Sequence, residues 1–131
     1  MIKIKPKSEL DSEEKKHINI LILSSFTNSR LETYDDIVYY EENNEIIGFL
    51  GLQHYDTFSK VNQLCVQTDY RKSGIGTMLL KFIESNSQNT LILYIDKNKE
   101  NTEKLYTFYT KRGYKETDGS TIEEYKMANS K

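Results

Sequence analysis

The sequence predicts an α/β fold: a mixed sheet of about seven strands with helices on both faces. Three observations point there. Short apolar or alternating runs recur from end to end, as in IKI from Ile2, EIIGFLGL from Glu45 and TLILYI from Thr90. Helically spaced apolar residues stand between such runs, most clearly Ile75, Met78, Leu79, Phe82 and Ile83 at i, i+3, i+4, i+7 and i+8. Turn residues mark the joints, among them Asn43-Asn44, Gly113 and Asp118-Gly119.

Taken in order, Ile2 and Ile4 alternate with lysines as a first strand. Asp11 or Ser12 can cap a helix, with Glu13 and Glu14 at its positive end. Ile18, Leu21, Ile22, Ser25 and Phe26 carry its inward face. Asn28 to Asp35 is polar and poorly periodic, so it reads as a loop or a short second helix. Ile37–Glu41 and Ile46–Leu52 form a hairpin across Asn43-Asn44, because Asn tolerates positive φ. Val61–Val66 is the next strand, with Leu64 and Val66 on one face. The helix from the paired glycines follows. Thr90–Ile95 is nearly continuous in apolar character and reads as a buried strand. Leu105 and Phe108 mark the inward side of a last helix, which Gly113 ends as a left-handed residue. Tyr114 opens one more strand, and Thr121–Met127 closes the sheet.

A chain of 131 residues suits a single domain spanning 1–131. Its net charge of −2 gives no electrostatic footprint for nucleic acid. Cys65 is the only cysteine, so no internal disulfide can form, in keeping with a reducing compartment. MIKIKPK lacks the apolar stretch of a signal peptide, and INILIL is far too short to span a bilayer. The expectation is a cytoplasmic protein with neither a membrane nor a nucleic-acid partner. Homodimers are common in folds of this size, and the sequence leaves the oligomeric state open.

The stretch VQTDYRKSGIGTMLL, Val66 to Leu80, carries the chemistry. Glycines let a ligand approach the main chain. A helix start offers unpaired N–H groups and partial positive charge. Together they make an anion site, most often for phosphate. Arg71 and Lys72 add full charges, and Thr77 adds a hydroxyl one turn in. There is no G-x-x-x-x-G-K-[ST]. Leu79 stands where a dinucleotide G-x-G-x-x-G needs its third glycine. The bland alternative is a tight strand-to-helix turn with a solvated Arg-Lys pair. Two glycines and two cations at one helix start exceed what a turn requires.

Leu64-x-Val66 followed by Arg71-x-x-Gly74-x-Gly76 resembles the acetyl-CoA signature of the GCN5-related N-acetyltransferases (GNAT). FYTKRGY, Phe108 to Tyr114, is similar to the family's F/L-Y-x-x-x-G-F/Y element, and EIIGFLGL looks like its third strand. The order of elements matches nearly the whole chain. The resemblance implies a splayed pair of fourth and fifth strands with pantetheine in the gap. Leu64, Cys65 and Val66 would bond that arm through their backbone. N–H groups from Lys72, Ser73, Gly74, Ile75, Gly76 and Thr77 would hold the pyrophosphate, with Arg71 beside them. It further implies an acetyl-CoA-dependent N-acetyltransferase with no metal, in which an amine attacks the thioester directly. The Val66 N–H is the implied oxyanion donor. Tyr109, four residues before Gly113, is the implied acid toward the leaving thiolate. A phenol near pKa 10 and a thiol near about 8.5 suit each other. As a residue alone, Tyr109 also reads as a core tyrosine beside Phe108.

This chain departs from the family pattern in two ways. The Asn that many relatives carry seven residues before the tyrosine is Thr102 here, with Asn101 one earlier. Asn101 is read mainly as the helix N-cap and secondarily as a cofactor contact. The fourth strand, KVNQLCV, has no carboxylate base. The base is open among His54, Asp96 and water. Cys65 reads as a small core residue rather than a nucleophile. The segments 26–34, 53–58 and 117–121 are the implied walls of the amine pocket, with Glu32, Asp35, Asp36 and Asp56 able to attract a cation. The acceptor is a small or protein amine of undetermined identity. Two other readings stand beside this one: a non-catalytic acyl-CoA-binding module that keeps the pyrophosphate site, and a nucleotide-binding α/β domain.

Overall fold

The computed structural model describes residues 1–24, 30–71 and 73–129. Ser25, Phe26, Asn28 and Lys72, all named above, lie outside them. The chain forms two compact units, Met1–His54 with Val61–Asn86, and Tyr55–Lys60 with Ser87–Lys131.

The first unit begins with strand β1, Ile2–Pro6, paired antiparallel to β2, Asp36–Glu42. Pro6 lies at the end of this edge strand, where a missing N–H does no harm. β2 turns into β3, Glu45–His54, through Asn43 and Asn44. Both have positive φ, 53° and 63°, the geometry of a two-residue turn that matches the twist of the hairpin. β4 runs from Phe58 to Val66 and α2 from Ile75 to Asn86. The polar segment before β2 contains one short 3₁₀ turn, Leu31–Thr33.

Helix α1, Ser12–Ser24, has Asp11 rather than Ser12 as its cap. The Glu14 N–H donates to Asp11 Oδ1 at 2.8 Å, and the Asp11 N–H donates to Glu14 Oε1 at 2.9 Å, a reciprocal capping box. Glu14 is buried and also accepts from Tyr39 Oη at 2.5 Å and Lys5 Nζ at 3.0 Å. Burial by itself would raise its carboxyl. The bonds from Tyr39, the Asp11 amide and Lys5 outweigh that and hold it down at about 2. Burial pushes the Tyr39 phenol the other way, upward, helped by the Glu14 carboxylate.

Alternation along the strands sorts side chains onto two faces. Ile37, Tyr39, Phe49 and Cys65 join Ile18, Leu21 and Ile22 of α1 in one apolar cluster. Leu64 and Val66 flank Cys65 in sequence and point oppositely, toward α2. The buried face of α2 is Ile75, Leu79, Leu80 and Ile83. Cys65 is thus a buried core thiol.

In the second unit, Phe58–Lys60 pair in parallel with Thr90–Ile92 of β5, Thr90–Asp96. α3 spans Thr102–Lys111 and packs on β5. β6 is only Lys115–Glu116, and β7, Glu124–Asn129, pairs antiparallel with both β5 and β6. The hydrogen-bonded strand order is β1-β2-β3-β4-β5-β7-β6, a mixed, mostly antiparallel sheet of seven strands.

Candidate active site

The junction between β4 and α2 is built by backbone. The Gln67 N–H donates to Ile47 O at 2.8 Å, which ties the end of β4 to β3. Successive amides of an extended chain point to opposite edges, so the Val66 N–H and C=O are directed away from β3. Arg71 Nε donates to that same Val66 carbonyl at 3.2 Å and clamps the loop behind it. The Ser73 N–H and hydroxyl both donate to Tyr70 O, closing the turn. Arg71 thus acts on the loop's own backbone, a bond with no signal in the sequence.

The two glycines have different reasons. Gly74 has φ +83°, where side-chain-bearing residues rarely go, and its carbonyl accepts the Met78 N–H at 3.0 Å to start α2. A Cβ placed there would meet nothing within 4 Å among the described residues. Gly76 is a packing glycine: a Cβ there would fall 3.2 Å from Leu64 Cδ2. The two glycines thus meet different constraints, a left-handed backbone at Gly74 and packing on Leu64 at Gly76. The amides of Ile75, Gly76 and Thr77 form the first turn, where no i−4 helix carbonyl exists. No acidic residue sits in that turn to offset its partial positive charge. Ile75 is buried and fixes the turn against Gly48, whose absent Cβ would lie 3.2 Å from Ile75 Cγ2. Arg71, Ser73 and Gly74 are exposed, while Leu64, Val66, Gly76 and Thr77 are half-buried.

In the second unit, Tyr109 stands in the last turn of α3. Gly113 has φ +94°; its N–H donates to Thr110 O and the Tyr114 N–H to Tyr109 O, the two bonds of a Schellman ending. Tyr114 is fully buried behind it. The Tyr109 ring meets Tyr114 edge-on at 5.5 Å and Phe108 at 5.1 Å. The four-residue offset to Gly113 therefore has a mechanical meaning: the helix ending fixes the backbone from which this half-buried phenol projects.

Asn101 occupies the N-cap position of α3, and its carbonyl accepts the Leu105 N–H. It is the N-cap residue as expected, but it caps through its backbone, and its side chain makes no capping bond. Thr102 Oγ1 instead donates to Asp96 O at 2.6 Å and Lys99 O at 2.8 Å, tying the helix start to the end of β5. Asp96 Oδ1 accepts the Asn98 N–H, a turn-forming bond. His54 lies at the far end of β3, seven residues beyond Ile47, or about 24 Å at the usual strand rise. It is held there by Asp36 Oδ2 at 2.6 Å, while Asp35 Oδ2 accepts its N–H at 2.8 Å. Two of the acids expected at the acceptor walls are thus engaged with His54. The Glu14–Tyr39–Lys5 cluster is absent from the sequence-based picture, although Asp11-x-x-Glu14 has capping-box spacing.

A family model described as "Acetyltransferase (GNAT) domain" matches residues 34–116, which includes both the Gly74 turn and Tyr109–Gly113. The chain belongs to the GNAT acetyltransferase family. Solved GNAT-like structures share its fold over nearly its whole length. An acyl-CoA N-acyltransferase from Pseudomonas aeruginosa superposes with a TM-score of 0.79 at 12% identity, covering 99% of each chain. An aminoglycoside 6'-N-acetyltransferase complexed with coenzyme A gives 0.77 at 20% identity, covering 96% of this chain and 95% of that one. A GNAT family acetyltransferase from Elizabethkingia anophelis with acetyl-CoA bound gives 0.76 at 20% identity, covering 99% and 98%. No curated protein sequence matches the chain. Among the described residues of this GNAT protein, no helix is long and apolar enough to cross a membrane.

Proposed function

We propose that this protein is one N-acetyltransferase domain over residues 1–131 that moves the acetyl group of acetyl-CoA to a primary amine by direct attack. Membership of the GNAT family supports acyl transfer. The observation that carries the finer reading is the left-handed Gly74 turn, open among the described residues, at an α2 start free of acidic residues. Such a turn offers fixed amides and partial positive charge to a diphosphate without side-chain rearrangement.

In this reading the amides of Ser73 to Thr77 receive the diphosphate, helped by the charge of Lys72. Arg71 positions the loop through its bond to Val66 O. The backbone of Leu64, Cys65 and Val66 receives the amide-rich arm, and Asn101 lies outside the reacting groups as a cofactor contact. A neutral amine nitrogen attacks the thioester carbonyl carbon. Negative charge gathers on the carbonyl oxygen, and the Val66 N–H, turned away from β3, stabilises it. The carbon–sulfur bond then breaks, and the Tyr109 phenol gives its proton to the departing sulfur. The protonated nitrogen of the tetrahedral intermediate loses its extra proton to water, since His54 is committed to Asp36 at the other end of β3, and the Tyr109 phenolate recovers a proton from solvent.

The test is thiol release from acetyl-CoA against a panel of small amines, amino acids, amino sugars and peptides. Amine-dependent release is expected. Tight CoA binding with no release from any member would leave an acyl-CoA-binding module instead.

A further inference from the structure

α3 and the β6–β7 hairpin flank an open pocket of about 330 Å³ within the second unit. Thr102, Glu103, Tyr106, Thr107, Glu116 and Tyr125 line it. Thr102, which anchors the start of α3, is already described above; the other five lining residues play no part in that site. The Tyr106 and Tyr125 rings meet edge to face, with centroids 4.8 Å apart. Tyr106 Oη donates to Glu116 Oε1 at 3.1 Å, and this bond raises the phenol's pKa. The Thr102 hydroxyl hydrogen is already committed to backbone carbonyls, so toward the pocket it can only accept.

The chemistry of this lining selects a ligand. The lining carries two carboxylates, which repel an anion, and the cation beside it, Lys97, rests on the Tyr125 ring. A neutral apolar guest would strip water from both carboxylates without compensation. A cation with alkyl groups satisfies both parts, because tyrosine faces attract positive charge and carboxylates balance it. Tyr125 already behaves this way toward its own chain: Lys97 Nζ lies 4.5 Å from its ring centroid. The volume lies at the small end of the range for ligand pockets.

We propose that this pocket binds a small organic ammonium ion, with the Tyr106 and Tyr125 rings against its alkyl groups and the Glu103 and Glu116 carboxylates balancing its charge. The site stands independently of the acetyl-transfer reading.

The experiment is a calorimetric titration of the full chain with tetramethylammonium, which cannot be acylated, and with tert-butanol, its neutral counterpart of similar shape. The cation should bind saturably and at least about tenfold tighter than the alcohol. Glu103→Gln combined with Glu116→Gln should weaken the cation by about tenfold, with the thermal midpoint and CoA affinity kept. Both acids are exposed, so the variant is expected to fold. Tyr125→Leu should weaken it by about fivefold as a second check. Equal binding of cation and alcohol, absence of saturable cation binding, or unchanged cation affinity in the double glutamine variant would each overturn the proposal.

Discussion

Glu14 keeps its charge inside the protein because three donors surround its carboxylate: the Tyr39 hydroxyl, the Lys5 ammonium and the Asp11 amide. Its folded pKa of about 2 lies below the ordinary 4.5. The stability linked to this charge is therefore complete above pH 4.5 and drains as pH falls toward 2. Glu14→Gln should lower the thermal midpoint at neutral pH, and its gap from the parent protein should narrow on acidification. A gap that is constant with pH would show that the charge is not what matters. At Tyr109, loss of the hydroxyl in Tyr109→Phe should leave CoA affinity in place and cut turnover by about 10²-fold, a typical loss for a positioned acid. Steady-state kinetics beside calorimetry checks both halves. At Gly74, a Cβ has room but the backbone does not suit one, since φ is +83°. Gly74→Val should tilt the turn out of the left-handed region, at a cost of about 1–2 kcal/mol, and weaken CoA binding. Calorimetry with CoA reads this directly.

At the scale of elements, the ends carry most of the information. Gly113 closes α3 at φ +94°, and among the described residues only Asn129 Nδ2 lies near its missing Cβ, at 3.6 Å. Gly113→Ala should therefore cost about 1 kcal/mol through backbone strain rather than collision. It should also loosen Tyr109, whose carbonyl the ending holds, so turnover should fall more than CoA affinity. α2 and the β2–β3 hairpin were legible because their signals are local: helical spacing after a glycine, and two asparagines able to take positive φ. The 58–60 segment of β4 was not, because its partners are Thr90–Ile92, and parallel pairing over that separation leaves no local mark. β7 starts at Glu124 and not at Thr121, because Thr121 Oγ1 accepts the Glu123 and Glu124 amides and makes that stretch a turn. The same competition between side chain and backbone explains Asn101. Its type suits a cap, but Thr102 secures the helix start through bonds to carbonyls that sequence spacing does not reveal.

For the whole molecule, the element order and the resemblance at Arg71–Gly76 and Phe108–Tyr114 were enough to indicate the fold, and the family match over 34–116 agrees. The division of labour inside the site was less legible. Gly76 serves packing on Leu64, and Arg71 serves the Val66 carbonyl, because both depend on β4 returning against the loop. CoA at a hundredfold excess over its dissociation constant should stabilise the folded chain by about 2.7 kcal/mol. The thermal midpoint should rise accordingly, and Gly74→Val should remove most of that rise at the same CoA concentration. The most direct measurement follows the backbone amides themselves, in an NMR titration of the isotope-labelled protein with CoA. The largest shifts are expected at Gly74 through Thr77, with a second set at Leu64 through Val66. Saturating CoA that leaves the Gly74–Thr77 amides unmoved would contradict a diphosphate site at the start of α2.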